Sequence, residues 1–219
     1  MPRTPIIAAI ILVATVIPST ATAAKHVGLS QQKVGDAFAG TVIGFRSADG
    51  KKGYYVLTCA HVIEDESKPV LIHPVKQKLD LFEAAVIAID RDRDLALTEY
   101  PAGLGWEQGE RPTPLADECP EPGADIRICG YGKGQNDQRP GKIIERETVT
   151  VNYGEEKKAV RTLPGISVAS RPGDGGGAIM HKGKLVGVNI AGSTPEQTPK
   201  GHFVPVEEVR EFLRENGFE

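Results

Sequence analysis

The chain has 219 residues, of which 40% are hydrophobic and 25% charged, with a formal net charge of -3. That length fits one larger domain or two small ones with a real core, and so small a net charge excludes a chain held to nucleic acid by its field. Its 25 glycines and 16 prolines, scattered with few helix-period segments between them, favour many short strands joined by turns, so the broad class is all-β.

The first residues, "MPRTPIIAAIILVATVIPSTATA", place Arg3 before an apolar run from Ile6 to Ile17 and end in Ala21, Thr22 and Ala23. This is the pattern of a secretory signal peptide over residues 1–23. The apolar run falls short of the roughly 20 residues that a membrane-crossing helix needs. The expected location is secreted or periplasmic, with no membrane attachment once the signal is removed.

Beyond a short polar lead-in, "AGTVIGFRS", "GYYVLTCAHVI", "KPVLIHPV", "EAAVIAID" and "DLALTEY" read as strands separated by turn residues. "YPAGLGWEQGERPTPLADECPEPG" reads as a connector, and a second series follows in "ADIRICGYG", "RETVTVNY", "KAVRTL", "GGAIM" and "LVGVNIAG". In the second series Val149, Val151 and Tyr153 alternate with Thr148, Thr150 and Asn152, the period of a strand with one wet face. Two β units follow, over residues 24–115 and 116–219. "GEEKK" at 154–158 reads as a solvated hairpin tip. In the tail, Val206, Val209, Phe212 and Leu213 fall on one helical face, acidic Glu207 and Glu208 precede Arg210 and Arg214, and Gly217 follows. A short terminal helix is expected there.

There are three cysteines, Cys59, Cys119 and Cys129. Cys119 and Cys129 flank the turn-rich "PEPGADIRI" and are the natural disulfide candidates; the alternative is that both stay free. "DRDRD" at 90–94 begins like a calcium loop but has Leu95 where glycine is needed and Pro101 where glutamate is needed, so no metal is expected. The remaining histidines show no ligand spacing, and no cofactor is implied.

Peptide hydrolysis by acyl transfer needs a nucleophile, a base, a carboxylate to orient that base, and N–H donors for the oxyanion. His61 in "VLTCAHVI", Asp94 in "DLALTEY" and the loop "RPGDGGGAIM" can supply the last three in that chain order. The arrangement resembles the chymotrypsin/trypsin family of serine proteases, in its compact bacterial form. "LTCAHV" is similar to the family's Leu-Thr-Ala-Ala-His-Cys, "DLAL" to its Asp-hydrophobic-Ala-Leu, "GYGKG" to its Gly-Trp-Gly turn, and "GKLVGVNIAGS" to its cleft-lining strand.

The resemblance implies two six-stranded antiparallel β-barrels with a short C-terminal helix, His61 as general base, Asp94 as its orienting acid, and the amides of Gly173 and Gly175 as the oxyanion hole. It implies a primary specificity pocket with Ala169 at its base and Ile190, Ala191 and Gly192 along its wall, hence apolar or shallow, and an extended peptide or protein as ligand. The family loop is Gly-Asp-Ser-Gly-Gly, whereas this chain has Gly173, Asp174, Gly175, Gly176 and Gly177, so glycine stands at the nucleophile position. Ser167 and Ser170 are too far along the loop to replace it. Cys59 lies on the base's own segment, where a buried structural role is expected. No Ile-Val-Gly-Gly-like start follows the signal, so Asp174 is expected to be exposed or to make a local hydrogen bond rather than pair with a new N-terminus.

Three functions stand open: a catalytically impaired homologue that binds peptide or protein, an active serine endopeptidase whose sequence carries a Ser-to-Gly change, and an interaction protein that uses a surface outside the cleft.

Overall fold

A computed structural model describes residues 26–30, 38–46, 52–74, 82–100, 112–131, 137–152, 158–192 and 200–218. The expected signal segment, residues 101–111 of the connector and most of the "GEEKK" tip lie outside the described residues.

The first seven strands are β1 (His26–Ser30), β2 (Phe38–Arg46), β3 (Lys52–Thr58), β4 (Val70–Pro74), β5 (Phe82–Ala84), β6 (Val86–Asp90) and β7 (Leu95–Glu99). They form one antiparallel sheet in the order β5-β4-β1-β2-β3-β7-β6. Its two edge strands, β5 and β6, are consecutive in the chain and separated by Ala85 alone, whose carbonyl accepts the Glu99 N–H at 3.0 Å. One bent strand therefore serves both edges, which curls the sheet until its ends meet. The sequence run "EAAVIAID" reads as a single strand, and on that count the unit has six.

The second unit is a closed barrel in the order β10-β13-β12-β11-β8-β9. It is built from β8 (Asp125–Gly130), β9 (Asp137–Asn152), β10 (Lys158–Ile166), β11 (Ala178–His181), β12 (Lys184–Gly192) and β13 (Gly201–Pro205). The β11–β12 hairpin turns on Lys182 and Gly183, both at positive φ (46° and 79°), the two-residue turn whose twist matches that of the flanking strands. The all-β double-barrel architecture expected from the family resemblance is the one observed.

The chain ends in α1 (Val206–Glu215), which buries Val206, Val209, Phe212 and Leu213, the four residues expected on its apolar face. Gly217 stops it at φ 80°, and the Phe218 N–H reaches back to the Leu213 carbonyl at 2.9 Å, closing the last turn. Among the described residues no helix is long and apolar enough to cross a membrane.

One apolar cluster runs through both units, joining Ile43, Leu57 and Leu97 of the first to Ala178, Val188 and Phe212 of the second. Tyr55 and Phe218 add an edge-to-face ring contact at 4.8 Å across the same seam. Replacing Phe212 by alanine is expected to remove about 3–5 kcal/mol of stability, measured as a drop in urea midpoint with little change in slope.

All three cysteines are free. The Cys119–Cys129 bridge does not form: β8 turns Cys129 to one face, while Cys119, ahead of the strand, packs on the other. Cys119 packs with Ile126 and Ile128, whereas Cys129 enters the core shared by the two units.

Candidate active site

Strand β3 ends at Thr58, and the chain tightens into one 3-10 turn over Ala60–Val62 that carries His61. Arg91 holds this turn by donating to the carbonyl oxygens of Ala60 at 3.4 Å and Ile63 at 3.0 Å. Asp94 closes the turn between β6 and β7 with φ 58°, a left-handed conformation that aspartate tolerates better than most residues. Within that turn Asp90 accepts the amides of Asp92 and Arg93 at 2.9 Å each, so the "DRDRD" segment is a hydrogen-bonded turn. The second unit braces it: Arg161 donates to the Arg93 carbonyl at 2.7 Å, and Arg93 pairs with Glu215 of α1 at 2.6 Å.

His61 and Asp94 meet through two bonds. The Asp94 Oδ1 accepts the His61 backbone N–H at 2.8 Å, and its Oδ2 lies 2.8 Å from Nδ1. Asp94 is fully buried while His61 keeps 24% of its side-chain surface exposed, so the ring is oriented from behind and open in front. The other ring nitrogen, Nε2, faces the Cys59 Sγ at 3.7 Å. Burial works to lower the His61 imidazole; the Cys59 sulfur and the Asp94 carboxylate outweigh it, and the group ends above its ordinary value. Burial pushes the Cys59 thiol up.

The Gly-rich loop enters from the other barrel. Gly173 and Gly176 have φ 92° and 79°, and a Cβ on Gly176 would lie 2.0 Å from the Thr58 Oγ1. On Gly177 it would lie 2.1 Å from the Cys129 carbonyl oxygen. Those three positions need glycine. Gly175 does not: its φ is not positive, and a Cβ there would sit in ordinary contact, 3.4 Å from both the Cys59 Sγ and the His61 Nε2. Position 175 therefore lies against His61 Nε2 and Cys59 Sγ with no side chain on it. Among the described residues the amides of Gly173 and Gly175 have no acceptor, whereas the Asp174, Gly176 and Gly177 amides are bonded within the fold. Ser167 Oγ accepts the Lys142 amide and Ser170 Oγ accepts from Asn189, so neither hydroxyl is directed at His61.

Asp174 is fully buried, not exposed. Its Oδ2 accepts the Arg171 amide at 2.7 Å and pairs with the Arg139 guanidinium, whose other arm donates to the Ala169 carbonyl at 2.6 Å. Burial still raises the carboxyl, against the pull of the Arg171 amide and the Arg139 charge. Gly130 makes room for it, since a Cβ there would overlap Asp174 Oδ1 at 1.9 Å. Nothing in the polar run "DQRPGK" marks Arg139 as the partner.

The expected pocket residues separate. Ala169 is half-buried beside Arg139. Ile190 packs into the shared core. Ala191 pairs in register with His202 on β13. A Cβ on Gly192 would lie 2.9 Å from the Cβ and carbonyl oxygen of Ser170, so the two walls all but touch. Asn189, which the motif comparison passes over, ties them together by donating to Ser170 Oγ at 2.7 Å and to the Asp174 carbonyl at 3.0 Å.

The comparisons with known proteins agree with this fold. No curated protein matches the chain. Among solved structures, the active form of the Rv3671c protease from M. tuberculosis superposes with a TM-score of 0.70 at 26% identity, covering 100% of this chain and 93% of that one. The MamO protease domain from Magnetospirillum magneticum gives 0.67 at 19% identity, covering 88% and 97%. A serine endoprotease from Yersinia pestis gives 0.63 at 18% identity, covering 89% and 63%; at these identities the last two speak for the fold alone. The family profile of the trypsin-like peptidase domain matches residues 40–188, which run from β2 to β12 and include the histidine turn and the glycine loop. With that match over more than half its length, the chain belongs to the trypsin-like peptidase family.

Proposed function

We propose that this family member is exported, with residues 1–23 as its signal peptide and barrels over 24–115 and 116–219, and that it binds extended peptide or protein segments without cutting them. In this reading His61 and Asp94 are the base and orienting acid of a hydrolytic site, Gly173 and Gly175 carry the oxyanion amides, and Gly175 stands where the nucleophile belongs. The observation that supports it most directly is that Gly175 alone among the loop glycines needs no glycine, while the space beside it opens onto His61 Nε2. Losing the nucleophile of such a triad costs on the order of a million-fold in turnover, yet amide donors and binding contacts remain.

The close approach of Gly192 to Ser170 supports a pocket that takes only small side chains. The test is fluorescence polarisation with labelled extended peptides, alongside casein cleavage by the same preparation. Saturable binding is expected, stronger with alanine or glycine than with phenylalanine or arginine at the pocket position, with no cleavage. Cleavage by the unaltered protein would overturn the impaired reading. A partner captured equally well by a His61→Ala, Asp94→Ala variant, with no peptide binding, would move the function to a surface outside the cleft.

A further inference from the structure

The site contains a pair of donors that a serine protease does not use. Cys59 replaces the small residue that the family places two positions before its histidine, and its Sγ lies 3.7 Å from His61 Nε2. Cys59, His61 and Asp94 each offer a ligand-type atom, all within 4.8 Å of one another. A tetrahedral zinc ion, with Zn–S of about 2.3 Å and Zn–N of about 2.0–2.1 Å, holds its sulfur and nitrogen ligands about 3.6 Å apart. The separation of Sγ and Nε2 is therefore already that of two ligands on one ion.

Two further features fit a metal. Asp94 accepts from Nδ1, which leaves Nε2 as the nitrogen with a free lone pair in the neutral ring. A carboxylate on the far side of the ring is the outer partner that metal-bound histidines commonly have. Gly175 leaves space next to both donors, since the two atoms nearest to a Cβ built there are Cys59 Sγ and His61 Nε2. A serine side chain would stand in that space; a glycine lets a single ion in. Cys59 itself is fully buried, which disqualifies it as a nucleophile toward a main-chain carbonyl but not as a ligand to an ion seated in the gap.

We propose that Cys59 Sγ and His61 Nε2 bind one zinc ion in the space left open by Gly175, with Asp94 orienting the imidazole and the remaining coordination positions open to the cleft. Binding replaces the thiol proton and any proton carried on Nε2: Zn²⁺ joins the thiolate and the neutral imidazole, and the displaced protons pass to solvent. The proposal depends on the glycine at 175 and on the Cys59–His61 geometry, not on peptide binding.

The test is titration of the protein with Co²⁺ as a spectroscopic probe, followed by displacement with Zn²⁺. One ion is expected per chain, with a sulfur-to-cobalt charge-transfer band in the near ultraviolet that disappears as zinc replaces cobalt. The band should be lost in Cys59→Ala, which installs the family's own residue and so preserves packing, and in His61→Ala. Asp94→Asn should weaken binding by about ten- to a hundredfold. Gly175→Ser should weaken it as well, while Cys119→Ser should leave it unchanged. A charge-transfer band that survives Cys59→Ala, or no such band in the unaltered protein, would overturn the proposal. No peptide takes part in the assay, so its failure is distinct from a failure of the peptide-binding reading.

Discussion

The Gly175→Ser protein should label with a fluorophosphonate and cleave casein, while the unaltered protein does neither. A serine Cβ at this position meets nothing closer than 3.4 Å, and its nearest neighbours include His61 Nε2. The base is already oriented by Asp94 at 2.8 Å, and the amides that a tetrahedral intermediate requires are not taken up elsewhere among the described residues. In the proposed reading the hydroxyl is the missing part, and the expected gain is on the order of a million-fold in turnover. The sign of its pH dependence follows from His61. A general base works only when unprotonated, and this imidazole is raised above its ordinary value, so kcat/KM should fall as the pH drops through that raised value. The acid limb should therefore lie above pH of about 6.5, the ordinary histidine value. If Gly175→Ser folds, as judged by an unchanged melting curve, yet neither labels nor cleaves, the loop does not present position 175 as a nucleophile. If the unaltered protein labels, another hydroxyl or thiol is the nucleophile.

How far the sequence discloses the site depends on how local each signal is. His61, Asp94 and the glycine loop are readable because each sits in a short motif whose residue types the chemistry constrains, and the terminal helix is readable because four apolar residues keep a 3.6 period. The glycines look alike in the sequence, yet space separates them: Gly176 and Gly177 abut Thr58 and Cys129, residues far away in the chain, while Gly175 does not. The first half of β9 is hidden by Pro140 and Gly141, ordinarily strand breakers. Pro140 nevertheless pairs with Arg127 in register, held there by the rest of the barrel. The register shift between Asn189 and Ala191, with Ile190 packed inward, is likewise invisible to a motif match and leaves Asn189 to bond Ser170 and Asp174. Pairings such as Arg139 with Asp174 join residues on different elements, and no local pattern announces them.

Arg139→Ala should damage both stability and the loop, because it strands a buried carboxylate. Asp174 is fully buried, and the Arg139 side chain beside it is only 11% exposed. Removing one partner of a buried ion pair costs about 3–5 kcal/mol, since the remaining charge has neither water nor counterion. The loss should reach the loop as well as the global stability. Arg139 also holds the Ala169 carbonyl at 2.6 Å, and Asp174 anchors the segment between Gly173 and Gly175, so the same guanidinium fixes both the Ala169 backbone and the segment that carries the two amides. A purely structural role would lower the melting temperature and nothing else. In the Gly175→Ser background, where turnover can be read, Arg139→Ala should instead reduce kcat at temperatures well below its own melting point. Arg139→Lys should recover stability better than activity, because one ammonium can neutralise Asp174 but lacks the fork that reaches the Ala169 carbonyl at the same time. Equal recovery of both by lysine would mean that the charge alone matters, and that the loop holds its shape without the second arm of the arginine.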